Sequence, residues 1–112
     1  MSGWYELSKS TNDQFKFVLK AGNGEIILTS ELYTAKAGAN NGISSVQTNS
    51  QSETNFAKET AKNDKPYFNL KAANHQIIGT SQMYSSTSGR DNGIRSVMEN
   101  GNTSTIKDLT AG

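Results

Sequence analysis

The 112 residues include no cysteine, one proline and one histidine. Without cysteine there is no disulfide framework and no thiolate for nucleophilic or redox chemistry. A single histidine, His75, rules out a metal centre built on clustered histidines. No window approaches eighteen consecutive apolar residues, so a helical membrane span is excluded. Charge of either sign is also scarce in net terms. Eleven basic and ten acidic residues leave +1, and no basic run marks a phosphate track, so a polyanion feels little long-range pull. The opening Met1–Leu7 has neither the basic region nor the apolar stretch of a secretory signal. The expected setting is a soluble, monomeric protein of the cytoplasm with no membrane contact.

What the chain does have, it has twice. Phe17 to Tyr33 returns fifty-one residues later as Phe68 to Tyr84, and Asn41-Gly-Ile-Ser-Ser-Val46 returns as Asn92-Gly-Ile-Arg-Ser-Val97. Aligning residues 4–49 with 55–100 gives nineteen identities in forty-six positions without a gap. A repeat of this strength fixes the architecture before any single motif does.

Within each copy the hydrophobic period changes once. Trp4 to Lys9 alternates, with Trp4 and Glu6 opposite Tyr5 and Leu7. Residues 11–14 are turn-like. Phe15, Phe17, Leu19 and Ala21 then share one face against Lys16, Val18 and Lys20, the period-two mark of a strand covered on one side. Asn23-Gly24 supplies a tight turn, and residues 25–30 return antiparallel. Beyond Tyr33, the intervals of Ala35, Ala39, Ile43 and Val46 predict a helix of about fourteen residues. Thr34 is the expected cap, with Ser85 in the second copy.

Gly38 and Gly42, and their repeats Gly89 and Gly93, are costly inside helices by roughly 1 kcal/mol each. Their recurrence predicts close approach of helix to sheet or helix to helix. The second copy reads as strands at 54–60, 67–72 and 76–81, a helix from about Ser86 to Asn100, and a last short strand within 103–109. The expectation is an α+β fold: two tandem β3-α-β repeats (about 4–54 and 55–109) interlocked in one domain spanning 1–112. One mainly antiparallel sheet carries both helices on one face, with last strands exchanged and pseudo-twofold symmetry.

The residues that carry this pattern are Trp4-Tyr-Glu-Leu7, the Phe15 to Ile27 stretch, Ser30-Glu-Leu-Tyr33 and Asn41 to Val46. They resemble the YegP-like family of small bacterial proteins, over nearly the whole chain and in both copies. Many members are tandem repeats, and others have one copy and pair as dimers. The resemblance implies β3-α-β units sharing one sheet with exchanged last strands. It implies no catalytic residue. The second copy departs at Asn74-His75-Gln76 and at Asn55-Phe-Ala-Lys58, so the two halves are not expected to bind a shared ligand equally.

No constellation for catalysis emerges. Glu59, Asp64, Asp91 and Glu99 are dispersed, Glu6 is matched by Ala57, and no serine lies in a nucleophile turn. The expectation is a non-enzyme with no cofactor and no metal. Asn41 and Asn92 are expected to bridge helix to neighbouring backbone or to the other helix, and Tyr33 and Tyr84 to pack at the strand–helix junction. The candidate interaction surface is the face the helices leave open: Lys16 and Lys20 with Val18, and Tyr67, Asn69 and Lys71. Unpaired edges and mixed side chains suit a protein or peptide partner. An aromatic amid lysines suggests the alternative, weak nucleic-acid binding on the same face.

If the copies are interlocked, residues 1–53 made alone lack their closing strand and half of their core. Sedimentation and denaturation of that fragment should show poor folding or self-association. A stable, cooperatively folded monomer would show the copies to be independent beads.

Overall fold

The structure is a computed structural model describing residues 3–10 and 12–110. Thr11, at the head of the first expected turn, lies outside the described residues, as do both extreme termini. In chain order the elements are β1 (Trp4–Lys9), β2 (Phe15–Lys20), β3 (Ile26–Ser30), α1 (Lys36–Asn49), β4 (Phe56–Thr60), β5 (Pro66–Lys71), β6 (Ile77–Thr80), α2 (Thr87–Asn100) and β7 (Ile106–Asp108). The strand expected at 54–60 begins at Phe56, because Glu53–Asn55 form a 3-10 turn whose Glu53 carbonyl takes the Phe56 amide.

All seven strands form one sheet in the order β4-β5-β6-β3-β2-β1-β7. Its pairings are antiparallel apart from β1 with β7, which is parallel. Alternation puts Tyr5, Leu7, Phe17, Leu19, Leu28, Phe68 and Leu70 on the helix side, where they bury together with Ala39, Ile43, Val46, Ile94 and Val97. Each helix reaches across the repeat boundary. α1 contacts β2, β5 and β6, while α2 contacts β5, β3 and β2. The chain after each helix also links the copies: α1 leads into β4, which opens the second copy by pairing with β5, and β7 returns from the second copy to pair with β1.

Two details of the helices differ from the sequence reading. Tyr33 and Phe15 exchange backbone hydrogen bonds at 2.7 and 2.8 Å, holding the chain extended past Thr34. The helix therefore starts one residue later than expected. Ala35 is the N-cap of α1 without a side-chain bond, and Ser86, not Ser85, caps α2 by accepting from the Gly89 amide at 3.0 Å. Asn41 and Asn92 are exposed on the helices. Asn92 accepts from Arg95 within its own helix at 3.4 Å, so neither forms the expected bridge between elements.

The helical glycines do mark close approach. A β-carbon on Gly42 would lie 2.5 Å from the Tyr33 hydroxyl oxygen and 2.8 Å from Phe17. Gly93 is crowded in the same way by Tyr84 and Phe68. Each tyrosine is stacked on its phenylalanine, with ring centroids 6.2 and 6.3 Å apart. The glycine is thus the notch into which the aromatic pair fits. Buried Ser30 and Ser81 repeat another device, each hydroxyl accepting the amide of Phe17 or Phe68 and donating to the next carbonyl of its own chain.

The pseudo-twofold axis passes between β3 and β6, where Thr29 faces its own repeat, Thr80. Beside it, Leu28 is 1% exposed and its repeat is Gly79. A β-carbon on Gly79 would sit 2.6 Å from Leu28 Cδ2. Two leucines cannot share that space. The same occurs at the helix ends, where fully buried Ser50 occupies the room a side chain on its repeat, Gly101, would need.

Gly79→Leu alone should therefore destabilise by about 1–3 kcal/mol through overpacking. Leu28→Gly alone should cost about 3 kcal/mol or more, from the cavity and the added backbone freedom. The double exchange should lie nearer wild type than either single change in urea unfolding, since the side chain re-enters the same void from the other copy. Simple additivity of the two losses would contradict this steric account of the axis.

Candidate functional site at the uncovered sheet edge

The residues expected to form an interaction surface do not converge. Lys16 and Lys20 lie on β2, while Tyr67, Asn69 and Lys71 lie on β5, with β3 and β6 between them. Three strand spacings separate the groups by roughly 14 Å. Asn69 is only 7% exposed and accepts from the Thr80 hydroxyl at 2.8 Å, so it braces neighbouring strands. Lys20 is held by the Glu6 carboxylate at 3.2 Å. Lys71, its repeat, has no carboxylate within ion-pair distance among the described residues.

That difference belongs to a larger one. Along β1 the first copy is enclosed on two sides. At its free margin, β7 pairs along β1 on the side of α1, its own residues remaining exposed. Tyr5 donates its amide to Thr105 at 2.9 Å, Leu109 donates to the Leu7 carbonyl at 2.7 Å, and Gln47 donates to the Thr103 carbonyl at 2.8 Å. Lys36 pairs with Asp108, and this hydrogen bond, with those from Thr110, holds the Asp108 carboxyl well below the usual range. On the open face, Trp4 donates to Glu6 at 2.9 Å while the Lys107 ammonium lies 4.4 Å from the Trp4 ring. The Trp4 hydrogen bond, with Lys20, lowers the Glu6 carboxyl.

β4 stands where β1 does in the other half, and among the described residues it lacks both coverings. It is the terminal strand of its end of the sheet. The groove between it and α2 is an open recess of about 320 Å³ lined by Glu53, Lys58, Asp91, Ile94, Arg95 and Met98. Lys58 replaces Leu7, and Met98 replaces Gln47. Lys58 reaches Asp91 at 3.4 Å, and Arg90 reaches the same oxygen at 3.3 Å. Some desolvation opposes the shift, but these two cations lower the Asp91 carboxyl. On the open face, Asn55 and Ala57 stand in place of Trp4 and Glu6. A second recess of about 360 Å³ lies there, lined by Asn55, Ala57, Lys71 and His75 among others.

Backbone geometry completes the site. The amide of Tyr5 and the carbonyl of Leu7 point toward β7, so the repeat-equivalent groups of β4 point away from β5. The Phe56 amide is consumed by the 3-10 turn. The outward donors and acceptors of Lys58 and Thr60 form the strand template. Sequence inspection finds the substitutions Asn55, Ala57 and Lys58 but not their consequence. Only the placement of β7 on β1, with β4 unpaired at the other end among the described residues, makes them a candidate site.

No group of three or more histidine, cysteine, aspartate or glutamate residues positioned for a metal occurs among the described residues. No helix there is long and apolar enough to cross a membrane.

Known proteins resemble this chain along its full length. The family described as Domain of unknown function (DUF1508) matches twice, at residues 10–56 and 61–108. A UPF0339 protein of Shewanella oneidensis is 84% identical over 110 residues, 98% of this chain and 100% of the relative. The UPF0339 protein YegP of Escherichia coli K12 is 63% identical over the same proportions. The solution structure of a Shewanella oneidensis UPF0339 protein superposes with a TM-score of 0.92 at 84% identity, covering 98% of this chain and 93% of that one. That of Escherichia coli yegP, described as a protein of unknown function, gives 0.94 at 62% identity, covering 100% and 97%. Two DUF1508 matches at the repeat spacing, with whole-chain identity and a shared fold, place this chain in the UPF0339 (YegP) family of bacterial proteins.

Proposed function

We propose that the protein is a non-enzymatic interaction module that adds an extended peptide strand to the free edge of β4. One observation carries this reading: the outer edge of β1 is paired by β7, whereas the matching edge of β4 is unpaired among the described residues, with its backbone template facing outward. Main-chain pairing supplies affinity in such strand addition, and alternate side chains supply specificity. The occupant's chemistry follows from the intramolecular strand. Ile106 pairs with Tyr5 and Asp108 with Leu7 in the β1 register. A parallel strand on β4 sets an apolar side chain beside Phe56, Ile94 and Met98, and two residues later an acidic one beside Lys58. The partner is thus an extended segment of apolar-x-acidic pattern.

In the free protein, the Lys58 amide should exchange with solvent much faster than that of Leu7, which lies between two paired strands. A nine-residue peptide corresponding to 102–110, with Lys107 replaced by glutamate, is the first ligand to try. Titrated into the isotope-labelled protein, it should shift resonances of 56–60 and 91–98. Lys58→Pro removes an outward amide donor and the ammonium that faces the partner's acid, without touching the ladder to β5, and should weaken binding about tenfold or more. Shifts that spare these residues, or that survive Lys58→Pro unchanged, would remove β4 as the docking edge.

A further inference from the structure

The recess on the open face of β4 sits where the first copy carries a built pair of side chains. There, the Glu6 carboxylate receives the Trp4 indole N–H at 2.9 Å and the Lys20 ammonium at 3.2 Å. The second copy keeps the lysine, as Lys71, and loses the other two to Asn55 and Ala57. The Asn55 side chain does not refill the space, because its amide donates to the Asn49 carbonyl at 2.9 Å, at the end of α1. Ala57 leaves a methyl where a carboxylate stood. The resulting recess holds about 360 Å³ between Thr54–Ala57 and Lys71–His75, within the range of small-ligand pockets. His75 borders it in a left-handed conformation, φ 69°, where the first copy has Gly24.

We infer that this recess binds a planar aromatic carboxylate, the ring taking the place of the Trp4 indole and the carboxylate pairing with Lys71. The first copy serves as the template: its own side chains show which chemistry a lysine at this position accepts. Charge supports the choice, because Lys71 is the one fixed cation lining the recess and no acidic residue lines it. The inference does not depend on strand addition, since the recess opens on the sheet face opposite the α2 groove. The same chemistry can come from a free acid or from a tryptophan and a glutamate two residues apart on a peptide.

The test is a chemical-shift titration of the full chain with indole-3-propionate, with tryptamine as the ring-bearing cation control, and with a blocked Trp-Ser-Glu tripeptide. Indole-3-propionate or the tripeptide should shift 54–57 and 71–75 saturably, with half-saturation at about 1 mM for a ligand of this size. The stronger of the two identifies the source. Tryptamine should give no such shifts. Lys71→Gln should weaken binding about tenfold or more. The refilled variant, Asn55→Trp with Ala57→Glu, should abolish it while leaving α1 and α2 resonances in place. Lys58→Pro should leave this titration unchanged, which separates it from the strand edge. Absence of shifts with both acids at 10 mM, equal shifts with tryptamine, or binding unaffected by Lys71→Gln or by refilling would overturn the inference.

Discussion

The constraint on which the structure depends is steric and lies on the pseudo-twofold axis. A duplicated chain that folds into one sheet brings repeat-equivalent residues face to face at its centre, as Thr29 meets Thr80. Small side chains tolerate this and large ones do not. Leu28 fills the space beside the axis because Gly79 yields it, and Ser50 fills the helix end because Gly101 yields it. A leucine repeated at position 79 is incompatible with the packing seen beside this axis. The asymmetry is part of how the protein is packed.

Once the copies differ at the axis, they are free to differ at the margins. The end of α2 is bound to the first copy rather than to its own. The Tyr5 hydroxyl donates to the Gly101 carbonyl at 2.5 Å, and the Gly3 amide donates to Asn100 Oδ1 at 2.8 Å. Burial pushes the Tyr5 hydroxyl well above its ordinary pKa, so it remains a donor. Phe56, the repeat of Tyr5, has no hydroxyl with which to do the same. These bonds aim the chain leaving α2 along β1, and β7 forms there. One margin is thereby closed by β7, while the matching margin at β4 has no paired strand among the described residues.

Much of the fold is legible in the sequence because it rests on local periodicity repeated twice. Alternation at Phe15–Leu19, the helical spacing of Ala39, Ile43 and Val46, and the paired Gly42 and Gly93 each report a contact that occurs. The helices start one residue later than the capping residues predict, because the Phe15–Tyr33 bridge is a tertiary bond invisible to capping rules. The proposed face was legible only as alternation. Alternation gives the side of a sheet but not strand order, so it places Lys20 and Lys71 on one face without showing that two strands separate them. The significance of Ala57 and Asn55 depends on Trp4 and Glu6 being partnered by Lys20 and Lys107, contacts between elements far apart in sequence.

An uncovered strand is normally a liability, because it templates sheet-to-sheet growth. Here the exposed template is short. The 3-10 turn at Glu53–Asn55 consumes the Phe56 amide, so the outward groups begin at Lys58 and β4 ends at Thr60. In a symmetric antiparallel pairing of two such edges centred on Lys58, like charges would face each other, which is unfavourable. Centring it on Glu59 has the same defect. A strand bearing an acid opposite Lys58 meets no such penalty. The like-charge contact that Lys58 sets against another copy of this edge is absent for the acidic strand proposed above.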